Sequence, residues 1–265
     1  MTVFFTKTCA RDWERQGYQT LAIKRLFPLA THVILIERDE LERASALRWP
    51  DHELAAALNH RTPATVRVFL VEELMPEAMR IKKPDLRQQY CKLRAPVILG
   101  EDTIQLDSDM CPKPGQTRWM DELYGPSGWR TGIRWNAPKA SKAMQPAVEN
   151  WAKTYTRLFS IDPGQSLDRD FMRSQFGWHV PRDVARGFLR ALGPDPIETI
   201  QQCIDERRKF SEYQLLGMWA ADKGDTQICF LDYVEKDPWL MHFTSKDALE
   251  PAQRKLLRQA AGLEE

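Results

Sequence analysis

The chain has 265 residues, 43% hydrophobic and 28% charged, and its 38 basic and 37 acidic side chains leave a net charge of +1. That composition is enough for a sizeable packed core and excludes a disordered or fibrous chain, while the balanced charge removes any global pull toward nucleic acid or an acidic membrane. Five cysteines at 9, 91, 111, 203 and 229, odd in number and without a C-x-x-C, exclude a disulfide framework and a zinc site and fit reduced thiols in a cytoplasmic protein.

Residues 3–6, β-branched and aromatic, read as a first strand buried on both faces. The N-terminal MTVFFTKTCARDWERQ meets charge too early for a signal peptide, and no apolar run approaches the roughly 20 residues of a transmembrane helix. Helical spacing of apolar residues over 13–27, closed by Pro28, predicts a helix. Residues 33–36 form a second apolar strand that ends in Glu37-Arg38-Asp39. A helix-compatible stretch over 41–58, broken at Pro50, precedes a third strand at 65–71. A helix over 85–95, starting after Pro84, leads to a fourth strand at 103–106 that runs directly into Asp107-Ser108-Asp109. This alternation predicts an α/β fold with a mostly parallel sheet and helices on both faces.

After Asp109 the character changes. Residues 110–150 are rich in Pro, Gly, Trp and Arg, show weak periodicity and read as a long irregular excursion facing substrate. Helices are predicted at 148–158, 181–192, 196–209 and 211–220, a late strand at 228–233, and an amphipathic terminal helix at 248–261 with Pro251 in its first turn. There is no internal repeat and no linker, so residues 1–265 read as one domain.

In open α/β sheets ligands bind beyond the carboxyl ends of the strands. Three polar groups occupy such ends here: Thr6-Lys7, Glu37-Arg38-Asp39 and Asp107-Ser108-Asp109. Two aspartates two apart, just past a buried strand, offer hard oxygen ligands suited to Mn²⁺ or Mg²⁺, and a metal so held bridges a diphosphate. The plainer reading of the triplet is a strand-ending turn. Gln89 and Lys92 lie three apart on one helical face, where Lys92 can reach a phosphate and Gln89 a base or ribose; the plainer reading is a solvated face. Glu212 follows Ser211, a good N-cap, and is either a general base or substrate-orienting acid, or a carboxylate favoured by the helix dipole. His242 can complete a carboxylate metal site, and Lys246, four residues on, can touch phosphate; His179 is a weaker candidate of the same kind. GxGxxG, GxxxxGK[ST] and GxSxG are all absent, so a dinucleotide dehydrogenase, a P-loop NTPase and a serine hydrolase are unsupported.

Taken in order, residues 3–6, 34–39, the Gln88-Gln89-x-x-Lys92-Leu93 segment, Leu106-Asp107-Ser108-Asp109 and the F-S-E-Y-x-L-x-G segment at 210–217 resemble an uncharacterised, DUF-type group of bacterial glycosyltransferase-like proteins with GT-A folds. The resemblance covers about residues 1–245. It implies a nucleotide-binding half over 1–109 and an acceptor-side half over 110–265. It also implies a metal on Asp107 and Asp109, and Glu212 in the cleft near the reacting sugar. A C-terminal histidine often completes the metal site in such enzymes, and His242 is the candidate. After the acidic triplet the group tends to continue with an apolar run and Arg-Pro, whereas this chain has Met110-Cys111-Pro112-Lys113-Pro114.

The function expected is metal-dependent transfer of a sugar from a nucleotide-diphosphate donor to a hydroxyl of a glycan or polysaccharide intermediate. Thr6, Lys7, Arg38, Asp39, Gln89, Lys92, Ser108 and Lys246 are the expected donor-site residues. A sugar-phosphate nucleotidyltransferase and an inactive sugar-nucleotide-binding subunit are the alternatives. A hydroxylated base in DNA is a minor alternative acceptor, disfavoured by the balanced charge.

Overall fold

The computed structural model describes residues 3–46, 66–113, 124–125, 128–134, 145–162, 178–206, 210–223, 229–232, 240–242 and 249–263. Strands β1 (Val3–Lys7), β2 (Thr31–Ile36), β3 (Val66–Leu70) and β4 (Thr103–Asp107) run parallel in one sheet. It is completed by β8 (Trp178–Val180), antiparallel to β4, in the order β3-β2-β1-β4-β8. The register sets Lys7 level with both Leu35 and Asp107, so β1, β2 and β4 end along one edge.

Alternation along the strands divides two helical layers. Val3 and Phe5 of β1 and Val33 and Leu35 of β2 join one core. Most of its other residues come from α4 (Pro84–Leu99), α6 (Arg182–Ala191), α7 (Pro196–Asp205) and α8 (Glu212–Asp222). Each such buried Leu, Val or Phe stabilises the fold by about 1.5–3 kcal/mol. Phe4 points the other way and meets Phe27 edge-on at 4.7 Å, just past the end of α1 (Trp13–Leu26). Tyr18, Leu21 and Ala22 of α1 pack with Leu257, Ala260 and Ala261 of α9 (Pro251–Ala261). Helices thus cover both faces. Among the described residues no helix is long and apolar enough to cross a membrane.

Several boundaries depart from the sequence reading. α4 does not stop before Pro96 but continues to Leu99, closed by Gly100 at φ 72°. Proline removes the amide that would bond the carbonyl four residues back, and that carbonyl, of Lys92, accepts instead from Gln105 Nε2 of β4 at 2.6 Å. The helix expected over 41–58 begins earlier, as α2 (Arg38–Ala46), and 47–65 lie outside the described residues. α3 (Val71–Leu74) is a single turn after β3.

The stretch 110–150 is less irregular than expected. It contains β5 (Met110–Pro112), β6 (Tyr124–Gly125), β7 (Gly128–Arg134) and the start of α5 (Gln145–Phe159). β5 pairs with β10 (Leu240–His242), and β7 pairs with β6 and with β9 (Cys229–Asp232). These strands are short and most of their partners lie about a hundred residues away, so local periodicity carries little trace of them. Ser211 does stand at the N-cap of α8, but its hydroxyl makes no capping bond. The helix expected over 248–261 is α9, which begins at Pro251, capped by Glu250 in a reciprocal capping box with Gln253.

Candidate active site

At the carboxyl edge of the sheet lies a cleft of about 840 Å³. β1 contributes Lys7, the loop after it Cys9 to Asp12, α2 Asp39, the first turns of α4 Arg87 and Gln88, and the end of β4 Asp107, Ser108 and Asp109. Seven carboxylates face four cationic side chains in its lining, so the cleft is acidic overall. Lys7 donates to the Thr8 carbonyl at 3.0 Å and pairs with Glu37 at 3.2 Å, and the other oxygen of Glu37 holds Arg87. One carboxylate shared by two cations leaves a positive corner inside an acidic cleft.

The Asp107-Ser108-Asp109 turn is clamped from beneath by α1. Gln19, wholly buried, donates from Nε2 to the carbonyls of Asp107 (2.9 Å) and Met110 (2.6 Å), which bracket the turn. Its Oε1 accepts from Thr6 Oγ1 at 2.9 Å and from Gln16 at 2.8 Å, so the whole amide is satisfied. Thr6 also meets His32 Nε2 at 3.1 Å. Thr6 therefore sits in the core under the turn and does not line the cleft. His32 is held neutral, its pKa lowered by burial to about 3.

Asp12, absent from the sequence-derived candidates, is the second clamp. It accepts from Ser108 Oγ at 2.9 Å, from Arg15 at 2.7 Å and from Arg11 at 3.3 Å. Burial alone would raise its pKa, but these bonds outweigh it and hold the carboxyl below its ordinary value. An aspartate just before a helix reads in sequence as an N-cap. Asp12 occupies that position for α1, yet its side chain makes no capping bond and turns to Ser108 instead.

Lys92 lies deeper. At 3% exposure its ammonium bonds Asp107 Oδ1, pairs with Glu212 Oε1 at 3.1 Å and rests 4.7 Å from the centre of the Tyr213 ring. Tyr213 in turn stacks on Trp178 of β8, 4.3 Å between ring centres. Burial opposes the charge on Lys92, but Asp107, Tyr213 and Glu212 together keep the ammonium protonated, with its pKa well above the usual lysine value. Glu212, 5% exposed, is raised by burial, with Lys92 pulling the other way. Lys92 and Glu212 thus stand behind Asp107 and not in the lining.

Of the remaining expected residues, Asp39 lines the cleft and Arg38 does not; its guanidinium pairs with Glu73 at 2.8 Å. Gln89 is turned away, with its buried Oε1 unpartnered among the described residues, and the neighbouring Gln88 faces the cleft. His179 lies in β8, its Nε2 3.6 Å from Asp102. The backbone of His242 pairs with Met110, the residue after Asp109. Lys246 lies outside the described residues.

Among the described residues no group of three His, Cys, Asp or Glu side chains is placed to cage a metal. Asp107 and Asp109 fit a different mode. Mg²⁺ is commonly held by one or two carboxylates, with phosphate oxygens and water completing its shell, and two such carboxylates line this acidic cleft.

No family model matches the sequence, and no curated protein matches it. Solved structures do. A complex of the galactosyltransferase LgtC with donor and acceptor sugar analogues superposes with a TM-score of 0.51 at 12% identity, over 99% of this chain and 96% of that one. An active-site mutant of LgtC gives a TM-score of 0.52 at 10% identity, again over 99% and 96%. At such identities the likeness speaks for architecture alone, and the chain has a GT-A-like fold.

Proposed function

We propose that this protein is a glycosyltransferase. It moves a sugar from a nucleotide-diphosphate donor to a hydroxyl of a glycan acceptor, with Mn²⁺ or Mg²⁺ on Asp107 and Asp109. The observation that carries the reading is the clamped acidic turn, Asp107-Ser108-Asp109, lining a cleft at the carboxyl edge of a GT-A sheet. An excess of carboxylates would repel a diphosphate, and a divalent cation on two of them would cancel their charge and offer the diphosphate oxygens a ligand site. When bound, that cation would offset the charge that develops on the departing diphosphate.

The chain's own groups have separate roles. Lys7 and Arg87, sharing Glu37, form the cationic corner next to the donor diphosphate. Ser108 is held by Asp12, and the main chain on either side by Gln19, so the two aspartates meet the donor in a fixed arrangement. The acceptor hydroxyl oxygen attacks the anomeric carbon as the bond to the diphosphate oxygen breaks, and the hydroxyl proton passes to the departing diphosphate. Glu212 is spaced from the cleft by Lys92, which supports an orienting role, exerted through Lys92 on Asp107, over that of general base. Lys246 remains a proposed phosphate contact.

The test is product analysis after incubation with nucleotide sugars and Mn²⁺. Release of a nucleoside diphosphate, lost in Asp107→Ala, supports glycosyl transfer. Release of pyrophosphate from a nucleoside triphosphate and a sugar phosphate would replace it with nucleotidyl transfer.

A further inference from the structure

A second basin, of about 550 Å³, shares no lining residue with the cleft. One side is a single face of α4, where Tyr90, Arg94 and Val97 recur at helical spacing, and the other is α6 with Arg186, Leu189 and Arg190. The loop after α6 and the start of α7 close one end, and Arg80 reaches in from the 3₁₀ turn Pro76–Arg80.

Four guanidinium groups line this basin against two carboxylates, Glu77 and Asp195, an excess of two positive charges. Both carboxylates are already engaged. Asp195 caps α7 by accepting from the amides of Ile197 and Glu198 at 3.1 Å, and its other oxygen holds Arg80. Glu77 pairs with Arg94 at 3.3 Å. Arg186 pairs within its own helix, with Asp183 at 3.2 Å, and Arg190 makes no ion pair among the described residues. Arg186 and Arg190 stand four apart, so their forks can close on one group. Val97, Leu189 and Ile197 supply apolar wall beside them.

We infer that this basin binds a small organic phosphate at a site separate from the donor cleft. A phosphomonoester carries close to two negative charges at neutral pH, which suits a lining richer in guanidinium than in carboxylate, and guanidinium forks pair with its oxygens in bidentate fashion. A bare phosphate ion would leave most of the basin and its apolar wall unused, whereas a sugar or nucleoside attached to it fills them. The inference does not depend on the proposed glycosyl transfer.

The experiment is calorimetry in metal-free buffer with AMP, glucose 1-phosphate and inorganic phosphate as probes. The proteins are the wild type, Arg190→Gln, Arg186→Glu/Arg190→Glu and Asp109→Asn, with circular-dichroism melts as the folding control. Arg190 is exposed and makes no ion pair among the described residues, so Arg190→Gln should keep the fold. The expected result is one-to-one binding of at least one ester, about tenfold tighter than inorganic phosphate and weakened about tenfold or more by the arginine changes. It is unchanged in Asp109→Asn. Absence of ester binding, ester binding indifferent to the arginines, ester binding lost in Asp109→Asn, or inorganic phosphate binding as tightly as the esters would each overturn it.

Discussion

Asp12 Oδ2 accepts the hydroxyl proton of Ser108 at 2.9 Å, joining the head of α1 to the middle of the acidic turn ninety-six residues later in the chain. The same carboxylate neutralises the buried Arg15. Removing it takes that counter-charge from a cation in the interior. Asp12→Ala should therefore lose about 1.5–3 kcal/mol in urea unfolding, whereas Ser108→Ala, which removes one neutral donor, should lose about 1 kcal/mol. Equal losses for the two would show that Asp12 matters only as the hydroxyl's acceptor.

Lys92 stands between two carboxylates, Asp107 and Glu212, at almost no exposure. Lys92→Met should cost about 3–5 kcal/mol, because the buried Glu212 loses its counter-charge. Glu212→Gln added to it should return part of that loss, since a neutral amide is less costly to bury than an unpaired carboxylate. A double-mutant cycle in urea reads the coupling. Strict additivity of the two changes would contradict the pairing.

The fold was more legible in the sequence than the site. β1 and β2 contain the continuous apolar runs Val3–Phe5 and Val33–Ile36, β4 alternates around Ile104 and Leu106, and the order of these strands with the helices between them points to a parallel sheet. Asp107 and Asp109 were legible because they end such a strand. Asp12 and Gln19 were not, for a physical reason: an aspartate before a helix and a glutamine within one have ordinary local explanations. Only the tertiary approach of α1 to the turn gives them another. Gln89 and Gln88 show the same limit. A shift of one residue turns a side chain about 100° around a helix, so a pattern that places α4 beside the cleft does not choose which of two adjacent glutamines faces it. Lys92, read as a phosphate ligand, has the helical phase of Gln88 but lies one turn deeper, under Asp107.

His32 gives the fold a pH dependence. Its pKa is lowered by burial to about 3, against about 6.5 when unfolded, so between these values the unfolded chain binds a proton that the folded one refuses. Stability rises with pH across that window. As pH falls below about 6.5, this single group should remove up to about 1.4 kcal/mol per pH unit. Urea midpoints from pH 7 to pH 4.5 should fall more steeply for the wild type than for His32→Gln. Parallel curves would show that His32 takes up its proton without unfolding.

Foremost is the proposal that Asp107 and Asp109 hold a divalent cation that in turn holds a nucleotide diphosphate. Its most direct test is calorimetric titration of UDP, GDP, CDP and ADP with and without Mn²⁺, on the wild type and on Asp109→Ala. One diphosphate should bind only when Mn²⁺ is present, and Asp109→Ala should abolish the binding while changing stability in urea by no more than about 0.5 kcal/mol. Binding of a diphosphate that is indifferent to Mn²⁺ and to Asp109, or no binding of any of the four under either condition, would contradict it.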